Sequence, residues 1–318
     1  MPILHALAAA LAWLGRQGTR ALAAMIFLGI ALPPLGALLK PFVAEAVFAL
    51  LVLAFLLVEP QALRAHVRRP WLVMAVTIWT MLALPALLGG GYAAMGLAER
   101  SPGLFLALIL QAAASPLMSS PAIAALLGLD AALVLSSMVV CTAAVSLTAP
   151  FFTRIFAGEV LTLSPLALGL KLFGMLAGAA LLATVIRRLA GHECIARRKE
   201  HIDGLNVIVL FVFVAALMGD IGAQLISDPL LVLGLTLLSF VLTAIPLGLT
   251  FLVFTAAGRG RAFAIGLMAS QRNMGLMLAA VAGTVPDLTW LYFALAQFPI
   301  YLLPQILKPL ANRLHPRP

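Results

Sequence analysis

The sequence predicts an all-α polytopic membrane protein: ten transmembrane helices in two inverted five-helix repeats. Three observations predict it. The 318 residues are 64% hydrophobic and only 10% charged, with a mean hydropathy of +1.13, whereas about a quarter of the residues in soluble domains are charged. Apolar runs of about 20 residues, long enough to cross a hydrocarbon core of about 30 Å, recur from end to end. The fourth and ninth runs carry polar or helix-breaking residues near their centres, and each is the fourth in a set of five.

The runs lie at 21–39, 41–60, 70–89, 103–128, 131–151, 165–186, 204–222, 229–256, 261–285 and 288–307. Residues 1–20 form a cytoplasmic or interfacial segment. Residues 21–151 make the first repeat, 165–307 the second, and 308–318 a basic cytoplasmic tail. Pro41, Pro70, Gly89, Gly90, Gly91, Pro165 and Pro229 mark the short links between runs, because glycine and proline punctuate helices. The stretch 3–14 is apolar but short, and Arg16 and Arg20 follow it. That is the wrong order for a cleaved signal peptide, so a short interfacial helix is expected.

Basic residues set the orientation. Arg16 and Arg20, Arg64, Arg68 and Arg69, Arg187, Arg188, Arg197, Arg198 and Lys199, Arg259 and Arg261, and Lys308, Arg313 and Arg317 all fall on one side of ten spans. The opposite loops hold only Lys40, Arg100 and Arg154. This asymmetry places both termini in the cytoplasm of a cell (inner) membrane protein. It also accounts for the net charge of +9, so no nucleic-acid partner is expected. Five spans per half is odd, so the second half enters from the other side, and broken helices at matching positions point to an inverted-repeat transporter.

Run four contains Gln111 followed by Ser115, Pro116, Met118, Ser119, Ser120 and Pro121. Each proline inside a helix removes a backbone hydrogen bond, and lipid offers no replacement. Ser115, Pro116 and Pro121 therefore mark a helix break, with Ser115, Ser119 and Ser120 as candidate partners for the freed carbonyls. The bland alternative is a proline kink satisfied by serine. Run nine carries Ser270, Gln271, Arg272 and Asn273 at its centre. A charged residue there costs a few kcal/mol and marks a functional site. Arg272 lies about 11 positions from Arg261 and about 14 from Pro286, so at about 1.5 Å per residue it snorkels poorly. All 11 acids fall in loops or at run ends, so an internal ion pair is not expected. An arginine without a counter-charge suits an anionic ligand held by two parallel hydrogen bonds.

Lys171 lies two turns into run six and is expected to snorkel. Asp220 and Asp228 read as solvated loop carboxylates. Trp71 and Trp290, at run starts, read as interface anchors. His5, His66, His192, His201 and His315 show no metal-ligand spacing, and Cys141 and Cys194 are not placed to pair. There is no Walker-type phosphate loop, no His-Glu-x-x-His and no hydrolase constellation. No catalytic residue, cofactor or structural metal is expected, and the chain does not read as an enzyme.

Ten runs, broken fourth and ninth, with Arg-Asn-x-Gly in run nine, resemble the bile acid:sodium symporter family in layout. Family members often read Glu-x-Gly-x-Gln-Asn-x-Gly-Leu in this run. Here it is Met268-Ala269-Ser270-Gln271-Arg272-Asn273-Met274-Gly275-Leu276. In run four they often read Ala-Ser-Asn, with Gly-Asp or Gly-Asn about nine residues on. Here it is Ser119-Ser120-Pro121, with Asp130 following.

The resemblance implies a panel of spans one, two, six and seven and a core of the other six. Spans four and nine cross where they unwind, near mid-membrane. An amphipathic organic anion binds near the crossing, with two sodium ions behind it. Among the departures from the pattern, three bear on the ion sites: Met268 replaces the acid, Pro121 the asparagine and Arg272 the glutamine. Two unit charges at 4 Å repel by about 4 kcal/mol at an effective dielectric of 20, so at least one sodium site is expected to be absent. Ser120, Ser136, Ser137 and Thr142 remain for a weaker residual sodium site.

The expected function is secondary transport of organic anions by alternating access, with sodium coupling reduced or absent. Ser119, Ser120, Ser270, Gln271, Arg272 and Asn273 line the substrate site, and the partners are a small organic anion and the bilayer. Export of anionic metabolites or oxyanions is the alternative within transport. A membrane sensor on the same scaffold is the alternative of another class.

Overall fold

The computed structural model describes residues 9–11, 13–14, 28–57, 70–158, 160–281 and 283–314. Expectations for Arg16, Arg20, Arg64, Arg68, Arg69 and Arg317, for the start of run one and for the end of run two lie outside them. The described residues are 87% helical, and there is no strand among them.

In chain order the main helices are α1 Pro33–Leu39, α2 Val43–Leu57, α3 Pro70–Ile78, α4 Leu84–Ala94, α5 Pro102–Ala113, α6 Ser120–Leu126 and α7 Ala131–Phe152. They continue with α8 Pro165–Ala190, α9 Lys199–Met218, α10 Pro229–Val253, α11 Arg259–Ser270, α12 Met274–Val281, α13 Asp287–Leu295 and α14 Gln297–Leu314. Pro33, Pro70, Pro102, Pro165 and Pro229 each open a helix, where the missing N–H is not needed.

Seven stretches among the described residues are long and apolar enough to cross a membrane: Pro33–Leu57, Pro70–Ala94, Ala131–Ala157, α8, Lys199–Ser227, α10 and Asp287–Leu314. A chain with several such helices is a multi-pass membrane protein, since a helix satisfies its own backbone where lipid cannot. Runs four and nine are absent from the seven because each is broken in two. Runs one and two were expected to part at Pro41. Instead, the described part is one continuous stretch, with a 3₁₀ turn at Lys40–Phe42 between α1 and α2. The helix expected from 204 begins at Lys199, so Glu200 and Asp203 ride on helix rather than loop. Hydropathy marks the apolar span and does not see a helix continuing past it.

The chain divides into two compact units, 1–58 with 174–232, and 59–173 with 233–318. The first takes in the described parts of runs one and two, most of six, and seven. The second takes in runs three, four, five, nearly all of eight, nine and ten.

In the first unit α9 packs on both α1 and α2. Gly36 meets Gly219 so closely that a Cβ would strike backbone. Asp220, expected to be a solvated loop carboxylate, is exposed and pairs at the surface with Lys40 at 2.9 Å. Arg187 donates to the carbonyls of Phe55 and Leu56 at 2.8 and 2.9 Å, closing the open end of α2 with a cation where the helix dipole is negative.

In the second unit α5 packs on α4 and α13, while α7 packs on α3, α6 and α11. Val76, Leu133, Met138, Phe263, Ile265 and Met268 share one buried apolar cluster. Lys171 and Trp71 are exposed, as a snorkelling lysine and an interface anchor require. Cys141 and Cys194 are both free.

Candidate functional site

The two helix breaks meet in the second unit. At the end of α5 the backbone of Ala114 turns extended, with φ −64° and ψ 151°. Pro116 causes this, because it lacks the N–H that would bond Ala112. Pro121 behaves differently. It sits in the first turn of α6, so it starts a helix instead of breaking one. At the end of α11, Gln271 is extended, with φ −88° and ψ 101°. Asn273 then opens α12 by accepting the Leu276 N–H on Oδ1 at 3.1 Å, the usual work of an N-cap residue.

The extended residues pair as a short antiparallel ribbon centred on Pro116 and Arg272. The Leu117 N–H donates to the Gln271 carbonyl and the Asn273 N–H to the Ser115 carbonyl, both at 2.8 Å. Four backbone groups left over by two broken helices are thereby satisfied by each other, as a buried backbone requires.

Arg272 is 3% exposed. Its Nη1 donates to the Ala114 carbonyl at 2.8 Å and to the Thr80 carbonyl at 3.2 Å. Its Nη2 donates to the same Thr80 oxygen at 3.3 Å. The reason Thr80 is free lies in its own helix. Trp79–Ala83 is a π-helical turn, and in it the Leu84 N–H bonds the Trp79 carbonyl. In that register the next donor, for Thr80, would be residue 85. Residue 85 is proline and has no N–H. A π turn followed by proline thus leaves one carbonyl unbonded, and Arg272 takes it.

This arrangement uses three of the five guanidinium donors. What remains is the Nε–Nη2 edge, two parallel N–H groups with no acceptor and no carboxylate among the described residues. Such an edge matches the two oxygens of a carboxylate.

The expected site residues fall into three groups. Arg272, Gln271, Asn273, Ser115 and Pro116 come together at the ribbon. Ser270 bonds the Leu267 carbonyl of its own helix at 2.9 Å, and Ser119 is exposed. The serine hydroxyls do not satisfy the freed carbonyls: Ser115 Oγ and Ser120 Oγ are buried with no partner, and Arg272 does that work. A guanidinium reaches two carbonyls at once, which a short hydroxyl cannot.

Of the residual sodium set, Ser136 bonds the Ala132 carbonyl at 3.0 Å, and the Thr142 hydroxyl lies 3.6 Å from Met138 Sδ. Ser120 and Ser137 are buried and unpartnered. Met268 packs among apolar residues, so no charged sodium ligand stands there.

Sequence reasoning missed the Thr80 carbonyl and assigned no partner to Gln111 or Asp130. Thr80 and its π turn were detectable only through Pro85, five residues on. Gln111 accepts from Tyr292 at 2.6 Å, joining α5 to α13. Asp130 caps α7 through Leu133 at 3.1 Å and accepts from Arg261 Nε at 3.3 Å, tying the loop after α6 to the start of α11.

The fold and the ribbon define the class as an all-helical, multi-pass membrane protein with a buried arginine at the meeting of two broken helices. No family model and no curated protein matches the chain.

Proposed function

We propose that the chain is a secondary transporter of organic anions, resembling bile acid:sodium symporters, that works by alternating access. In this reading it is built of two inverted repeats and lies in the cell (inner) membrane. One observation carries the proposal. Arg272 is pinned by three hydrogen bonds to the carbonyls of Thr80 and Ala114, yet its Nε–Nη2 edge is left for an acid group. The division of the chain into the two sets of runs that the resemblance expects also supports it.

Carbonyls freed at unwound helices are what a coupling cation takes in transporters of this design. Here N–H groups of Arg272 take them, and the carboxylate is replaced by Met268. The residues at this place do not fit a sodium ion. The arginine acts as a tethered cation, holding the breaks together and presenting its charge to the substrate acid group.

The test is uptake of a panel of radiolabelled carboxylates into proteoliposomes, with sodium or potassium outside. Uptake of at least one carboxylate, equal in the two salts and lost in Arg272→Gln, is expected. Steep sodium dependence would refute the tethered cation, and no vectorial movement of any anion would refute transport.

A further inference from the structure

The ribbon has two chemically different faces. Neighbouring residues in extended chain point to opposite sides. Pro116 and Arg272, the central pair, lie on one side. Ser115, Leu117, Gln271 and Asn273 therefore lie on the other. Asn273 Oδ1 is spent on its cap. Gln271 and Ser115 are both 0% exposed, and neither the Gln271 amide oxygen and nitrogen nor the Ser115 hydroxyl has a partner among the described residues. The main chains on both sides of these side chains are hydrogen-bonded, so the unsatisfied groups are confined to the side chains. They are diagonal neighbours across the ribbon, about 7–8 Å apart at the backbone.

We propose that Gln271 and Ser115 form a binding subsite for an uncharged group that both donates and accepts hydrogen bonds, a carboxamide or hydroxyl. The subsite is separate from the anion edge of Arg272. The chemistry selects this class. A carboxylate only accepts, so it would satisfy Nε2 and the serine proton but face Gln271 Oε1 unpaired. A cation would take the two oxygens and be opposed by the amide protons. A carboxamide matches Gln271 donor to acceptor and acceptor to donor, and leaves a bond for Ser115. In the family motif quoted above, Gln271 stands at an unspecified position, so this subsite belongs to this chain's own sequence. The proposal rests on the transport reading only for the ligand being cargo, which enters when the crossing opens.

The experiment is thermal shift of the purified full chain, titrated with hexanamide and separately with hexanoate, which share one hydrocarbon body. Hexanamide is expected to stabilise the wild type. Its half-effect concentration should rise about tenfold or more in Gln271→Leu, as expected for loss of buried hydrogen bonds, and more modestly in Ser115→Ala. Arg272→Lys should keep the hexanamide response while weakening that to hexanoate. If hexanamide binds and no anion does, the subsite stands and the anion-transport reading falls. No stabilisation by hexanamide, or the same half-effect concentration in Gln271→Leu, overturns the proposal: the two side chains then hold only water. Gln271→Leu keeps the buried volume similar, and its own melting temperature reports whether it folds.

Discussion

Arg272 and Thr80 are joined by two hydrogen bonds, from Nη1 at 3.2 Å and Nη2 at 3.3 Å to one carbonyl oxygen. The partners are 192 residues apart in sequence. The bond exists because a π turn and a proline leave Thr80 without a backbone donor, while a break in another helix supplies a cation. Each side would be an unsatisfied buried group without the other.

Removing the guanidinium should therefore destabilise the fold. Arg272→Gln leaves the carbonyls of Thr80 and Ala114 short of donors, at about 1–3 kcal/mol for each group left unpaired. Arg272→Lys should recover only part of that, because an ammonium lacks the planar fork. Thermal unfolding in detergent ranks the three proteins, and equal melting temperatures would contradict the bonding described.

Pro85→Ala restores an N–H positioned to bond the Thr80 carbonyl. Arg272 then loses part of its role, so Arg272→Gln should cost about 1 kcal/mol less in the Pro85→Ala background than in the wild type. A double-mutant cycle on melting temperatures measures this coupling. Additivity would mean that Pro85 does not keep Thr80 free.

Asn273→Ala removes the cap of α12 and should cost about 1 kcal/mol. Asn273→Asp keeps an accepting oxygen and should lie nearer the wild type in the same unfolding assay. If both variants lose stability equally, the accepting oxygen is not what matters.

In the first unit, Gly36→Ala should lower the melting temperature, since its Cβ would strike the Gly219 backbone, with overpacking of this kind costing about 1–3 kcal/mol. Gly90→Ala has nothing within 4 Å of its Cβ and, lying inside α4, should be neutral or slightly stabilising through helix propensity. The pair separates steric contact from propensity in one experiment.

The membrane class, the breaks at Pro116 and at Gln271–Asn273, and the isolation of Arg272 from any carboxylate among the described residues were legible in the sequence. Each depends on local chemistry: hydropathy, a missing N–H, or a charge with no opposite charge in its run. The function of Pro121 was misread, because a proline that breaks a helix and one that starts a helix look alike until the chain on either side is placed. Asp220 is exposed as expected, but its surface partner Lys40 was not legible, since it lies 180 residues away.

What the amino-acid sequence determined by itself is that apolar runs become helices and that two of them cannot remain whole. Only the tertiary structure decided who receives the groups those breaks release. Leu117 bonds Gln271, Asn273 bonds Ser115, and Arg272 bonds Thr80 and Ala114. The physical reason is that a freed carbonyl in an apolar interior must find some donor, and its identity depends on which helices pack together. Helix-forming tendency acts within a few residues, whereas hydrogen-bond completion acts across whatever surfaces the fold brings into contact.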